Sequence, residues 1–120
     1  ASGGHSDTAA GAKLAVIVVP LIRGRLPMIR DKVQTVITPG ESIDVIVTER
    51  GVAINPKRTD LLEKLKDSNL PLYTIQELQQ MSYDLVGKPK DIEVSQEDKD
   101  IVAVVEYRNG SIIDLVRKPL

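Results

Sequence analysis

Two glycines, the only histidine of the chain and an acidic residue stand together in the string Ser2-Gly3-Gly4-His5-Ser6-Asp7-Thr8-Ala9-Ala10-Gly11-Ala12-Lys13. Glycine lets a backbone N–H approach a ligand that any side chain would hold off. Gly3 and Gly4 are therefore candidate catalytic donors to an oxygen that gains negative charge, as in acyl transfer, where one such donor is worth about 2.7–4 kcal/mol. His5, between Gly4 and Ser6, is the candidate to orient a carboxylate, its blander role being a structural hydrogen bond. Ser6 and Asp7 are candidate substrate contacts, and the blander role for either is to cap a short turn over residues 8–11. For the glycine pair the blander role is a tight turn.

Four more residues belong to the candidate set. Arg23 and Arg25 follow the apolar run 14–19, beyond the end of a strand, where open α/β sheets bind their ligands. A guanidinium there suits carboxylates or phosphates through paired hydrogen bonds, and the blander reading is a solvated loop. Thr48 and Glu49 follow the apolar run 45–47 and fall at the same edge by the same reasoning. Glu49 is expected to serve as a structural acceptor, because Gly51 marks a tight backbone bend beside it.

Composition narrows the chemistry. The chain has 120 residues, one domain's length, and buries about two thirds of its unfolded surface if it folds compactly. Phe and Trp are absent and three tyrosines are the only aromatic residues, so the core is aliphatic and stacking platforms for bases are lacking. Sixteen basic against seventeen acidic residues leave a net charge of −1, which gives no bulk attraction to nucleic acid or anionic lipid. Without cysteine, and with one histidine, no disulfide, thiol nucleophile or structural metal site is expected. The longest apolar run, 14–22, contains Pro20 and is too short to span a bilayer, and no signal peptide is evident; the expected location is cytoplasmic.

The elements that must hold these residues follow from the pattern. Residues 14–19 are apolar on both alternating faces, as in a strand covered on both sides. Strands are also expected at 33–37 and 45–48, with a type II turn at Thr38-Pro39-Gly40-Glu41 between them and a short apolar stretch at 52–54 after Gly51. Thr59 is expected to cap a helix to about Asp67, carrying an Asp60/Lys64 pair. Leu70-Pro71-Leu72 reads as a short extended piece. Thr74-Ile75-Gln76-Glu77 is a capping box, with Tyr73 and Leu78 placed as a hydrophobic staple. Ile75, Leu78, Met81 and Leu85 stripe that helix, and Gly87 with Pro89 ends it. Residues 88–99 read as a surface connection. Strands 101–107 and 112–116 flank Asn109-Gly110, the signature of a type I′ hairpin pairing Tyr107 with Ile112 and Val104 with Leu115. The expected fold is α/β: a mostly parallel mixed sheet with flanking helices and a C-terminal β-hairpin, all of 1–120 being part of a larger domain.

The string at 2–13 resembles the one that opens the last part of the citrate lyase alpha-subunit family. The resemblance continues through Pro20-Leu21-Ile22-Arg23-Gly24-Arg25, Asp31-Lys32-Val33, Asp44-Val45-Ile46-Val47-Thr48-Glu49, Gly51-Val52-Ala53-Ile54-Asn55-Pro56 and Tyr107-Arg108-Asn109-Gly110-Ser111. It implies a fold like the family I CoA-transferases and a citrate CoA-transferase reaction, in which acetyl is exchanged for citryl on an acyl-carrier thioester. The implied partners are citrate, acetate, the acyl-carrier and lyase subunits, and the remainder of the alpha subunit. The thiol would belong to a CoA-derived prosthetic group on the acyl-carrier subunit, with nothing bound covalently here. Related transferases use a glutamate nucleophile upstream of the glycine string, so the expectation is a C-terminal segment that lacks the nucleophile and is inactive alone. Met28 and Arg30 depart from the smaller or apolar residues of the pattern, and Arg58-Thr59 replaces an Arg-Pro. A non-catalytic scaffold or subunit-interaction module is the alternative reading.

Overall fold

Short apolar runs separated by breakers fold into strands only two to six residues long. The computed structural model describes residues 4–120. Helix α1 (Gly4–Gly11) leads into β1 (Val16–Val18), then β2 (Ile22–Arg23) and β3 (Leu26–Pro27) form a small antiparallel ribbon. After a long irregular stretch come β4 (Val45–Val47), β5 (Val52–Ile54), α2 (Thr59–Leu65), β6 (Leu72–Tyr73) and α3 (Ile75–Val86). The chain closes with the hairpin of β7 (Ile101–Glu106) and β8 (Ile112–Arg117). The main sheet has the order β1-β4-β5-β6, parallel between β1 and β4 and between β5 and β6, antiparallel between β4 and β5. The mixed, mostly parallel α/β sheet expected from the sequence is thus present.

The core is small and aliphatic. Leu21 and Leu78 are fully buried beside Ile29 and Ala53, with Tyr73, Ile75 and Met81 packed against them. α3 contributes Leu78 to the buried cluster and Ile75 and Met81 to the residues packed against it, and its start is well determined. Thr74 Oγ1 accepts the N–H of Glu77 at 3.1 Å, and the Glu77 carboxylate accepts the N–H of Thr74 at 3.4 Å, the reciprocal capping box. Thr74→Ala should cost about 0.5–2 kcal/mol in urea unfolding of the protein. A charge change at the exposed Glu63, whose partner Lys66 is also in solvent, should cost less. Equal midpoints for Thr74→Ala and wild type would mean that the cap carries no stability.

Several expectations are corrected. From Gly4 onward the glycine string is helix and not loop: α1 runs Gly4–Gly11, where Thr8-Ala9-Ala10 brings two of the best helix formers and Ala9 packs inside. Residues 14–19 hold a strand, but it lies at the sheet edge with Val18 79 % exposed, so it is not covered on both sides here. Residues 33–37 form no strand, because the Val36 N–H donates to the Asp114 carboxylate at 2.6 Å and not to a neighbouring strand. At 38–41 the type II turn is absent: Gly40 has no positive φ and instead opens a 3-10 turn, Gly40–Ser42. Arg58, not Thr59, is the cap position of α2, and Asp60 pairs with Arg58 rather than Lys64. Leu85 of the α3 stripe is 54 % exposed.

The C-terminal hairpin exists with a different turn. Val104 pairs with Leu115 as expected, but Ile112 pairs with Glu106 and the register shifts between Val105 and Glu106. A type I′ turn needs positive φ at both central residues, and Asn109 has none. Gly110 alone is left-handed (φ 86°), Gly110 N–H donates to Tyr107 at 2.8 Å and Tyr107 N–H to Ser111 at 2.7 Å. That is a three-residue loop closed by a glycine bulge. The connection at 88–99 is irregular as expected, apart from a single bridge of Val94 to Pro119 and a short turn, Asp98–Asp100. Among the described residues no helix is long and apolar enough to cross a membrane.

Candidate functional site

The segment between α1 and β1 is fixed by one carboxylate. Asp44, nearly buried just before β4, accepts the Ala15 N–H at 2.7 Å and pairs with Arg58 Nη1 at 2.8 Å. The same guanidinium group reaches the Lys13 carbonyl at 3.4 Å and grips Asp60 through Nε and Nη2 at 2.9 and 2.8 Å. Sequence reasoning picked neither Asp44 nor Arg58 as a determinant; the signal available was an acidic residue at the mouth of an apolar strand and a cation just before a helix. The Ala15 N–H first, then Arg58, holds the Asp44 carboxyl below the usual carboxylate range, and Arg58 lowers Asp60 to about 2.

A lowered carboxyl pKa contributes stability above its unfolded value and loses it as pH falls through the folded one. Acid unfolding followed from about pH 5 to about pH 2 should therefore show a stability loss that Asp44→Asn makes shallower. An unchanged acid limb in that variant would mean that Asp44 is not a source of the pH dependence.

With its C-terminal connection clamped, α1 lies beside β1 and leaves a groove of about 320 Å³, lined among others by His5, Thr8, Ala9, Val16 and Ile43. His5 Nδ1 is hydrogen-bonded to Thr38 Oγ1 at 2.9 Å, the structural hydrogen bond of the blander reading, with a partner the sequence did not name. The ring itself is exposed. The hydroxyl oxygen of Ser6 is out of water and has no hydrogen-bond partner among the described residues, while Asp7 is exposed in the first turn of α1. The first N–H groups of a helix have no partner within it, and those of Gly4, His5 and Ser6 have none outside it among the described residues, at the positive end of the helix. A Cβ built on Gly4 meets nothing within 4 Å, so among the described residues nothing blocks the approach from that side. Gly3 lies outside the described residues.

The other candidates form a second group. Because β1 and β4 are parallel, the segments that follow them leave the sheet at one edge. A hydrogen bond joins them there: Glu49 Oε2 accepts the N–H of the fully buried Leu21 at 2.9 Å. Glu49 is thus a structural acceptor. Thr48 is buried and committed to its own turn, its hydroxyl donating to the Gly51 carbonyl at 2.9 Å and accepting the Gly51 N–H at 3.1 Å. Arg23 and Arg25 sit on the β2–β3 ribbon, both exposed, and neither makes an ion pair among the described residues. No hydrogen bond or ion pair among the described residues links this group to His5, and no group of three or more His, Asp or Glu converges as metal ligands.

Known proteins share both sequence and fold. The profile of the family described as "Citrate lyase, alpha subunit (CitF)" matches residues 1–119. The citrate lyase alpha chain of Klebsiella pneumoniae is 54 % identical over 118 residues, 98 % of this chain and 23 % of that protein. That of Haemophilus influenzae is 53 % identical over 116 residues, 97 % of this chain and again 23 % of the relative. A crystal structure described as the alpha subunit of citrate lyase from Streptococcus mutans in complex with citrate superposes with a TM-score of 0.91 at 53 % identity, covering 98 % of this chain and 22 % of that one. This chain spans about a quarter of the length of these relatives, and it belongs to the citrate lyase alpha-subunit family.

Proposed function

We propose that this chain is the part of a citrate CoA-transferase that presents backbone donors and a histidine to the acyl group being exchanged. The reaction is acetyl-thioester on the acyl-carrier subunit plus citrate giving citryl-thioester plus acetate. The observation that carries the reading is the match to the alpha-subunit family over residues 1–119, together with the likeness to a structure that holds citrate. The α1 corner supports it locally, with open approach to the Gly4 backbone and the His5 ring oriented by Thr38.

In this reading the carboxylate nucleophile comes from the remainder of the alpha subunit, as does whatever closes the site above Gly3 and Gly4. The first-turn amides of α1 stabilise negative charge on the thioester oxygen as the acyl group is attacked. His5 orients a citrate carboxylate, with Ser6 and Asp7 beside it. Arg23 and Arg25, unpaired on their ribbon, are available to the phosphates of the CoA-derived arm that carries the thioester. The arm belongs to the acyl-carrier subunit, and the lyase subunit consumes the citryl product. We assign the complex to the cytoplasm, in keeping with a chain free of cysteine.

The experiment is steady-state kinetics of the full-length subunit carrying His5→Ala, with citrate and acetyl-thioester varied in turn. The expected result is a KM for citrate raised about tenfold or more and a KM for the thioester nearly unchanged, the loss of one charge-assisted hydrogen bond. Equal effects on both substrates, or none, would remove His5 from citrate binding.

A further inference from the structure

β1 is an unfinished edge. It stands at one end of the sheet order, and its bonds to β4 run from Val45 N–H to the Ala15 carbonyl at 3.2 Å and from Val19 N–H to the Val47 carbonyl at 3.0 Å. These assign residues 15, 17 and 19 to the β4 side. Successive residues of a strand direct their N–H and C=O to opposite edges, so Val16 and Val18 point theirs away from the sheet. Proteins blunt such edges with charge, proline, bulges or a covering segment. The run Leu14-Ala15-Val16-Ile17-Val18-Val19 has no charge and no proline within it.

The side chains repeat the message. Val16 is in register with Val45 and Ile54, and Val18 with Val47 and Val52, so all share one face of the sheet. Val45, Val52 and Ile54 are buried, whereas Val16 is 46 % and Val18 79 % exposed. An apolar face that is closed over β4 and β5 is open at β1. Residues apolar on both faces are what an interior strand of a parallel sheet carries. The radius of gyration, 16.2 Å, also exceeds the roughly 14 Å of a compact domain of this length.

We propose that in the complete alpha subunit β1 is an interior strand: a β-strand from the part of the subunit outside this chain pairs with its free edge and covers Val16 and Val18. The occupant is argued from length, since the chain accounts for only 22–23 % of its relatives and most of the subunit is elsewhere. The inference rests on the chain being a piece of an alpha subunit and not on the chemistry assigned to it.

Amide hydrogen exchange on the full-length subunit, resolved to single residues, tests the pairing without any activity measurement. The expected result is that Val16 and Val18 N–H exchange is slowed about a hundredfold or more relative to unstructured chain, at every protein concentration used. Rapid exchange at Val16 and Val18 beside slow exchange at Ile17 and Val19 would overturn it. So would protection that disappears on dilution, which identifies a second copy as the occupant. Val18→Lys in the same subunit should lower the melting temperature by several degrees, and an unchanged melting temperature overturns the proposal. Should that variant fail to fold, the exchange measurement on wild type still decides.

Discussion

Gly51→Ala is expected to be among the most destabilising single-methyl additions in this chain. A Cβ at Gly51 would stand 2.4 Å from Tyr73 Cδ2 and 2.8 Å from the Pro71 carbonyl oxygen. The ring could in principle turn aside, but it packs against Leu21, Ala53 and Leu78. The carbonyl cannot, because it accepts the Val52 N–H at 2.9 Å and so belongs to the β5–β6 pairing. Relief requires that β6 move away from β5, which also disturbs the start of α3. Overpacking of this kind costs about 1–3 kcal/mol or more. Gly40→Ala is the control: a Cβ there meets nothing within 4 Å and φ is not positive, so the change should be neutral or stabilising by about 0.4–1 kcal/mol. Thermal melts of the two variants beside wild type decide the matter. Comparable melting temperatures for Gly51→Ala and Gly40→Ala would mean that β5 and β6 are not held as described.

What was legible in the sequence was whatever is encoded locally. The α3 cap is one example: Thr74 and Glu77 are three apart, so their reciprocal bonds require no knowledge of the rest of the fold, and both are present. The tight bend at Gly51 is another, though its reason proved to be a close approach of Tyr73 and not a special φ. What failed depended on partners distant in sequence. The β-branched residues of 33–37 carry strand propensity, yet the Val36 N–H bonds to Asp114, 78 residues away. The turn at Asn109-Gly110 was recognised as a hairpin, but one residue of register was lost because the bulge at Glu106 is invisible without the pairing.

The candidate site divides the same way. His5 was singled out as a lone histidine beside glycine, while its orienting partner Thr38 lies 33 residues on and carries no motif. The Asp44–Arg58 clamp stayed hidden for the same reason, and with it the explanation of how α1 is held. The glycine string was legible as a place of chemistry but misread in conformation, since Gly4 opens a helix. That change alters the mechanism by which its amides reach a ligand: they are donors of a helix first turn and not of a free loop.

Gly4→Val in the full-length subunit should lower kcat by about a hundredfold to a thousandfold, the loss associated with one oxyanion donor. The helical placement is what makes this variant decisive. In a strained loop a β-branched residue could simply unfold the segment, and a lost rate would then say nothing about the ligand. Here the Cβ of Gly4 has open space around it and φ is not positive, so the chain itself does not resist a side chain. Valine is also slightly better than glycine inside a helix, which makes the expected change in stability small and of either sign. Among the described residues a side chain at this position meets no neighbour, so what it is expected to obstruct is an incoming group seeking the backbone N–H. Rate and stability should therefore separate: thermal melts near wild type beside a large fall in kcat with both citrate and acetyl-thioester. Gly4→Ala, with a single methyl in the same space, should fall between. Near-normal turnover by a folded Gly4→Val subunit would leave α1 a structural helix and would move the acyl group elsewhere.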